Sequence, residues 1–242
     1  MDPPTIDHAL PQTTLEELAG QTITEEGLGG EEALKLFVDT LGPACISQDH
    51  PRYLSFVPSA PSEVSTLFDL VVGASNICAS SWLEGAGAIY AENQALRWIA
   101  DIAGFPQGAG GVFVSGGTAG NLSALVAARH DWRKAHPECS SQRGLIISSR
   151  GAHASVAQAA QVMDADLVQS GGHQLTGDDV AATIAELSTE DRARLFAVAC
   201  TASTVIISRC FTTAPGIPAT THTTYLAVRA VYLSGLASLY TE

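Results

Sequence analysis

The chain has 242 residues, with 12 Lys and Arg against 25 Asp and Glu, a net charge of −13. That balance argues against a nucleic-acid or anionic-membrane surface, since both need basic patches. Hydrophobic residues make up 46% of the chain, too many for a disordered polymer, yet no run approaches the ~18 apolar residues of a membrane span. The first residues are acidic (Asp2, Asp7, Glu16, Glu17), unlike a signal peptide. The cysteines Cys45, Cys78, Cys139, Cys200 and Cys210 are scattered without C-x-x-C spacing, which points to neither a disulfide framework nor a metal site. A cytoplasmic protein is the resulting expectation.

In chain order, the first forty-odd residues pattern as an acidic helical arm. Thr14-Leu15-Glu16-Glu17 has the spacing of a capping box. A second helix is predicted from about Glu31 to the stop at Gly42-Pro43. After a Pro-punctuated loop (Pro58, Pro61), a helix carries Leu67, Phe68, Val71 and Val72 on one face. A further helix spans about Ala88 to Ala103, where Leu96, Ile99 and Ile102 keep helical spacing and Gly104 and Pro106 end it.

From residue 111 the rhythm becomes strand, helix, strand. Val112–Val114 is predicted as a short strand, Thr118 to about Ala135 as a helix, and Leu145–Ile147 as a buried strand. Then follow a helix over His153–Met163, a short strand at Asp166–Val168, a helix over Asp178–Leu187 and a buried strand at Leu195–Cys200. Alternating strands and helices, with apolar rather than alternating strands, predict a parallel sheet covered on both faces. The rhythm stops at about Ser203. Between Thr204 and Thr241 there is no acidic residue, threonine pairs recur over 212–224, and Tyr225–Leu239 reads as one apolar helix.

Three segments can carry chemistry. Ser115-Gly116-Gly117-Thr118-Ala119-Gly120-Asn121 lies between a predicted strand and a predicted helix. Small residues there admit close backbone approach, and the free N–H groups of a helix N-terminus favour a phosphate. The segment matches neither G-x-G-x-x-G, because Ser115 stands at its first glycine, nor the P-loop, because it has no lysine. It also fails as a nucleophile elbow, because Phe113 stands at that motif's first glycine. Ala152-His153-Ala154-Ser155-Val156 follows the Leu145–Ile147 strand, so His153 lies at the carboxyl edge where parallel sheets bind ligands. Cys200-Thr201-Ala202-Ser203 ends the next buried strand at the same edge. Each segment alone has a plain structural reading, as a tight turn, a helix cap and a strand end respectively.

Together with His50-Pro51-Arg52-Tyr53 and Ala91-Glu92-Asn93 through Trp98, these segments resemble the group II pyridoxal-phosphate-dependent amino-acid decarboxylases, which include the aromatic-amino-acid and glutamate decarboxylases. The resemblance runs from His50 to about Ser203. It implies an α/β fold of the fold-type-I pyridoxal-phosphate transferase kind, with an incomplete, mostly parallel sheet, helices on both faces and a preceding helical arm. It implies an arm at 1–47, a partial cofactor-binding domain at 48–203 and a divergent tail at 204–242. Pyridoxal 5′-phosphate would be the cofactor, an amino acid the substrate, and a homodimer the assembly. Gly117 and Thr118 would hold the phosphate, Gly116 would allow its close approach, and Asn121 belongs to the same motif. His153 would stack on the pyridine ring and help position the substrate. Thr201 would lie near the ring substituents, and the His50–Pro58 region would shape the substrate end. No metal is implied.

The family also uses an aspartate, in a His-Val-Asp-x-Ala-Tyr-Gly segment, to hold the pyridine nitrogen protonated, and a later lysine to carry the cofactor. Here no Asp follows Asp191, and the lysines are Lys35 and Lys134 alone. The chain therefore reads as a decarboxylase homologue cut short before those residues and inactive by itself, with a tail that departs from the family. The alternative is a non-catalytic protein of the same fold that binds a phosphate ligand or pairs with a full-length homologue. A related enzyme, such as an aminotransferase or a cysteine-desulfurase-like protein, is less favoured by the His50-Pro51 lead-in. Loss of later strands is expected to leave an apolar sheet edge open to aggregation.

Overall fold

A computed structural model describes residues 9–54, 60–172, 174–201, 207–211 and 224–228. The chain divides into two compact units, one running up to Val71 and the other from Val72. The first unit holds α1 (Gln12–Ala19), α2 (Gly30–Leu36), a π-helical turn (Phe37–Leu41) and the start of α3 (Glu63–Ser75). Thr14 does not cap a helix as its spacing predicts. The helix begins two residues earlier, behind Pro11, without a side-chain cap. Pro11 has a fixed φ and no N–H to lose, so it can precede the first turn, and Gln12 Nε2–H donates to Glu16 Oε1 at 2.7 Å inside that turn. Leu67, Phe68, Val71 and Val72 of α3 do share one element, and all four are exposed.

The second unit is a layered α/β structure. Its elements are α4 (Trp82–Ile102), α5 (Gly117–Ala135), β1 (Leu145–Ser149), α6 (Ala154–Val162), β2 (Asp166–Ser170), α7 (Gly177–Glu186), α8 (Thr189–Ala193), β3 (Leu195–Thr201), β4 (Ile207–Phe211) and β5 (Thr224–Val228). The sheet order is β2-β1-β3-β4-β5. β2, β1 and β3 run parallel, while β4 and β5 are antiparallel to their neighbours. β4 pairs along β3 from Val198↔Phe211 to Thr201↔Ser208. The edge of β3 expected to lie open is thereby covered by strands of the chain's own tail.

Helices lie on both faces of the parallel strands. On one face, Ile146, Ala197 and Ala199 pack with Leu125, Ala128 and Trp132 of α5 and Val156, Ala159 and Ala160 of α6. On the other, Leu145, Ile147, Leu195 and Val198 meet Val180, Ile184 and Leu187. A bulge interrupts the register between Leu145↔Leu195 and Ile146↔Ala197. The extra residue is Phe196, and both Phe196 and Ala197 therefore belong to the α5–α6 side. The ring of Phe196 tilts against Trp132, with centroids 6.0 Å apart.

Local signals place the helices. A capping box opens α7, where Thr176 Oγ1 accepts from the Asp179 N–H at 3.2 Å and Asp179 Oδ2 accepts from the Thr176 N–H at 2.9 Å. α4 begins at Trp82, earlier than its periodicity predicts, and bends at Gly85. A Cβ on Gly85 would sit 2.8 Å from Ala79 Cα, so glycine lets the chain turn back there.

Two sequence expectations fail. Val112–Val114 is not a strand, because a strand persists only where a partner's N–H and C=O groups run beside it, and this segment has none among the described residues. Residues 225–228, expected to open a helix, belong to β5 (Thr224–Val228). A short apolar run suits either form, and here its pairing with β4 decides. The rest of the predicted 225–239 helix lies outside the described residues. Among those residues no helix is long and apolar enough to cross a membrane.

Candidate functional site at the carboxyl edge of the parallel strands

Gly116 is the N-cap of α5, and no side chain caps the helix. An uncapped first turn leaves the N–H groups of Gly117, Thr118 and Ala119 without intrahelical acceptors. Gly117 is buried and Thr118 exposed. The buried stripe of the helix, Gly117, Gly120, Asn121, Leu125, Ala128 and Trp132, recurs every three to four residues, as helix geometry requires of a face turned to a core. That stripe fixes which way the Gly-rich turn faces.

β1 ends at Ser149, and the chain turns into α6 with His153 as its N-cap. The His153 Nδ1 accepts from the Ser155 N–H at 3.2 Å and lies 2.9 Å from Ser155 Oγ. Ser155 Oγ in turn accepts from Asn121 Nδ2–H at 2.7 Å. Asn121 is 1% exposed and Ser155 0%. This chain of three side chains, buried at Asn121 and Ser155 and exposed at His153, ties α5 to the first turn of α6. Asn121 Oδ1 is buried without a partner among the described residues, an arrangement that invites a further donor.

Parallel pairing of β1 with β3 sets Ser148 opposite Ala199, so Thr201, the last residue of β3, is at the same carboxyl edge as Ser149 and His153. Only the backbone of Thr201 is described, paired with Ser208 of β4, and Ala202–Thr204 of the same motif lie outside the described residues. Of the residues singled out from the sequence, Gly116, Gly117, Thr118, Asn121 and His153 thus come together, and Thr201 shares their edge of the sheet. His50–Leu54 belong to the other unit, and residues 55–59 lie outside those described. Ser155 was not singled out, although it joins the two motifs. Its one local signal is a small polar residue in the first turn behind an N-cap histidine.

The fit to a phosphate-bearing cofactor is partial. A buried glycine, an uncapped first turn and a threonine hydroxyl suit a phosphate group. Among the described residues of this unit, no lysine stands at this edge to hold such a cofactor covalently. Lys134 lies in the last turn of α5, about 24 Å along the helix from Thr118. Lys35 is exposed on α2 of the first unit.

Comparisons with known proteins agree with this picture. The Pyridoxal-dependent decarboxylase conserved domain matches residues 15–210. An aromatic-L-amino-acid decarboxylase of Bacillus atrophaeus is 35% identical over 109 residues, 45% of this chain and 23% of that protein. An L-2,4-diaminobutyrate decarboxylase of Acinetobacter baumannii is 28% identical over 109 residues, 45% of this chain and 21% of that protein. Among solved structures, mouse CSAD superposes with a TM-score of 0.68 at 17% identity, over 84% of this chain and 44% of that one. Oryza sativa TDC with PLP superposes with a TM-score of 0.63 at 18% identity, over 73% and 42%. The matched segments span about a quarter of the curated relatives, and this chain covers less than half of each solved one. A fold shared with those structures and a family match over most of its length say the same thing: the chain belongs to the pyridoxal-dependent decarboxylase family.

Proposed function

We propose that this chain forms the phosphate- and ring-binding part of a pyridoxal-phosphate-dependent amino-acid decarboxylase, and that by itself it binds the cofactor without decarboxylating. The observation that carries the reading is the Asn121–Ser155–His153 hydrogen-bond chain, which sets an uncapped helix N-terminus and an N-cap imidazole side by side at the carboxyl edge of a parallel sheet. Gly117 and Thr118 would hold the phosphate through backbone N–H groups and a hydroxyl, with Gly116 admitting its approach. Asn121 would complete the turn, His153 would offer a flat ring to the cofactor's ring, and Thr201 would stand near its substituents. When bound, pyridoxal phosphate supplies an electron sink for the charge left on a substrate's α-carbon as carbon dioxide departs. Catalysis in this family also draws on an aspartate and a lysine, and neither has a counterpart at this edge.

The same reading carries its other parts. It takes residues 1–47 as an arm, 48–203 as the cofactor-binding region and 204–242 as a divergent tail. It includes an amino-acid substrate and a homodimer, to which the exposed apolar residues Leu67, Phe68 and Val71 of α3 are suited. A cytoplasmic location accords with the free thiols of Cys45, Cys78 and Cys139.

The test is to titrate the purified chain with pyridoxal phosphate, reduce it with borohydride, and assay carbon dioxide release from amino acids. Saturable binding without release, and without a stoichiometric adduct, is the expected result. An adduct accompanied by decarboxylation would show that the chain is an active enzyme, and no binding at all would remove the cofactor assignment.

A further inference from the structure

We infer that Ser155 is a positioning residue that holds the His153 ring in one tautomer, with its proton on Nε2. The argument starts from the backbone. The N–H of Ser155 can only donate, and it lies 3.2 Å from His153 Nδ1, so Nδ1 presents a lone pair. Ser155 Oγ lies 2.9 Å from the same nitrogen. That hydroxyl is itself committed, because Asn121 Nδ2–H donates to it at 2.7 Å. One of its two lone pairs is taken from the α5 side, and because Nδ1 presents a lone pair to the backbone N–H, the hydroxyl hydrogen points at Nδ1. A neutral imidazole carries one N–H. With Nδ1 accepting, that N–H is on Nε2, at the end of the ring away from the first turn of α6.

Burial makes the arrangement one-sided. Ser155 is 0% exposed and Asn121 1%, so water does not compete for the bond between them, while His153 itself is exposed. If the Asn121 amide is turned about, its carbonyl takes the Ser155 hydroxyl hydrogen, and Nδ1 still accepts from the backbone N–H. In that arrangement the backbone N–H alone favours the Nε2–H form, and the added donation from the hydroxyl is lost. The chemical consequence is specific: a group meeting the free end of the ring meets a donor, so this position selects for an acceptor such as a carboxylate or phosphate oxygen. A ligand that offers a donor there is disfavoured. That the acceptor belongs to pyridoxal phosphate or its substrate rests on the function proposed above; the tautomer does not.

The experiment is a long-range proton–nitrogen correlation on the ¹⁵N-labelled chain, at a pH where imidazole is neutral, for the wild type and for Ser155→Ala. The wild-type spectrum is expected to show His153 with a protonated Nε2 and an unprotonated Nδ1. In S155A only the backbone donor remains, and a share of the Nδ1–H form appears. A wild-type signal with protonated Nδ1, or an S155A signal identical to the wild type, overturns the inference. The wild-type spectrum alone decides the tautomer if the variant does not fold. In parallel, pyridoxal phosphate is titrated into both proteins by absorbance, and S155A is expected to bind about tenfold more weakly. Equal affinity removes the positioning role. Absence of binding by the wild type removes the proposed cofactor instead and leaves the tautomer standing.

Discussion

Gly144 lies directly under the ring of Phe196: a Cβ placed on it would sit 2.5 Å from Cδ1 and 2.6 Å from Cε1. Phe196 is the bulged residue of β3 and is 2% exposed, so its ring has no free space to swing into. The glycine just before β1 is what lets the bulge deliver an aromatic side chain to the α5 side of the sheet. Gly144→Ala is expected to destabilise the second unit by about 1–3 kcal/mol, the cost of overpacking a filled core. In Phe196→Leu, which removes the ring, the same glycine substitution should cost less. Denaturant midpoints of the two single variants and the double variant measure the coupling. Additive losses would mean that the ring and the glycine do not constrain each other.

At the opposite, amino edge of the same strands, Arg194 joins three elements. Its guanidinium donates to Asp191 Oδ1 at 2.7 Å, to Asp166 Oδ2, and to the Arg143 carbonyl at 3.1 Å. Arg143 pairs in turn with Asp164 at 3.0 Å and Asp166 at 3.2 Å. The hydrogen bond from Arg194, followed by that from Ser188, holds the Asp191 carboxyl below the ordinary aspartate range. A carboxyl whose pKa is depressed by folding stabilises the protein above its unfolded pKa, and that contribution fades as the pH falls through the folded value. Arg194→Ala is therefore expected to lower the denaturation midpoint at neutral pH. The gap between wild type and variant should narrow as the pH drops below about 4. A gap that stays constant or widens in acid would rule out the ion pairs as its source.

The parallel core was legible because its signals are local. Leu145–Ile147 and Leu195–Cys200 are apolar on consecutive residues, which marks strands covered on both faces, and glycines, prolines and capping residues bracket the helices between them. The bulge at Phe196 was not legible, since it arises from packing against Gly144 and Trp132, positions far apart in sequence. The helix expected from Tyr225 failed for a related reason: the form of residues 225–228 is decided by the ladder with β4 rather than by their own composition. At the candidate site, the Gly116–Asn121 turn and His153 each stood out as short motifs at strand ends. Ser155 did not, because its partner Asn121 lies 34 residues away. Only the pairing of those two residues reveals that the motifs share one hydrogen-bond chain.

The helix that presents the turn offers a direct check on which of its faces folding depends on. Leu125 is 1% exposed and its neighbour Val126 is 41% exposed, although both are apolar and adjacent on α5. Leu125→Ala should cost about 2–5 kcal/mol through lost burial and the cavity left behind. Val126→Ala should change stability by less than about 1 kcal/mol, a surface effect partly offset by alanine's helix propensity. Thermal or urea unfolding distinguishes them. Comparable losses at the two positions would contradict the orientation of α5, and with it the direction in which Gly117 and Asn121 face.

Thr118 isolates ligand binding from folding. It is exposed in the first turn of α5, where the N–H groups and the helix dipole favour an anion, so its hydroxyl can be removed without disturbing the core. Thr118→Val keeps the shape and the β-branch and deletes one donor. Hydrogen bonds to a charged group contribute about 1.5–3 kcal/mol, so pyridoxal phosphate should bind roughly ten- to a hundredfold more weakly at unchanged melting temperature. Inorganic phosphate should compete with the cofactor in the wild type and compete less well in T118V, because both ligands would use the same hydroxyl. Pyridoxal, which has no phosphate, should bind the two proteins alike. If T118V binds pyridoxal phosphate as the wild type does, the phosphate is not held at the first turn of α5.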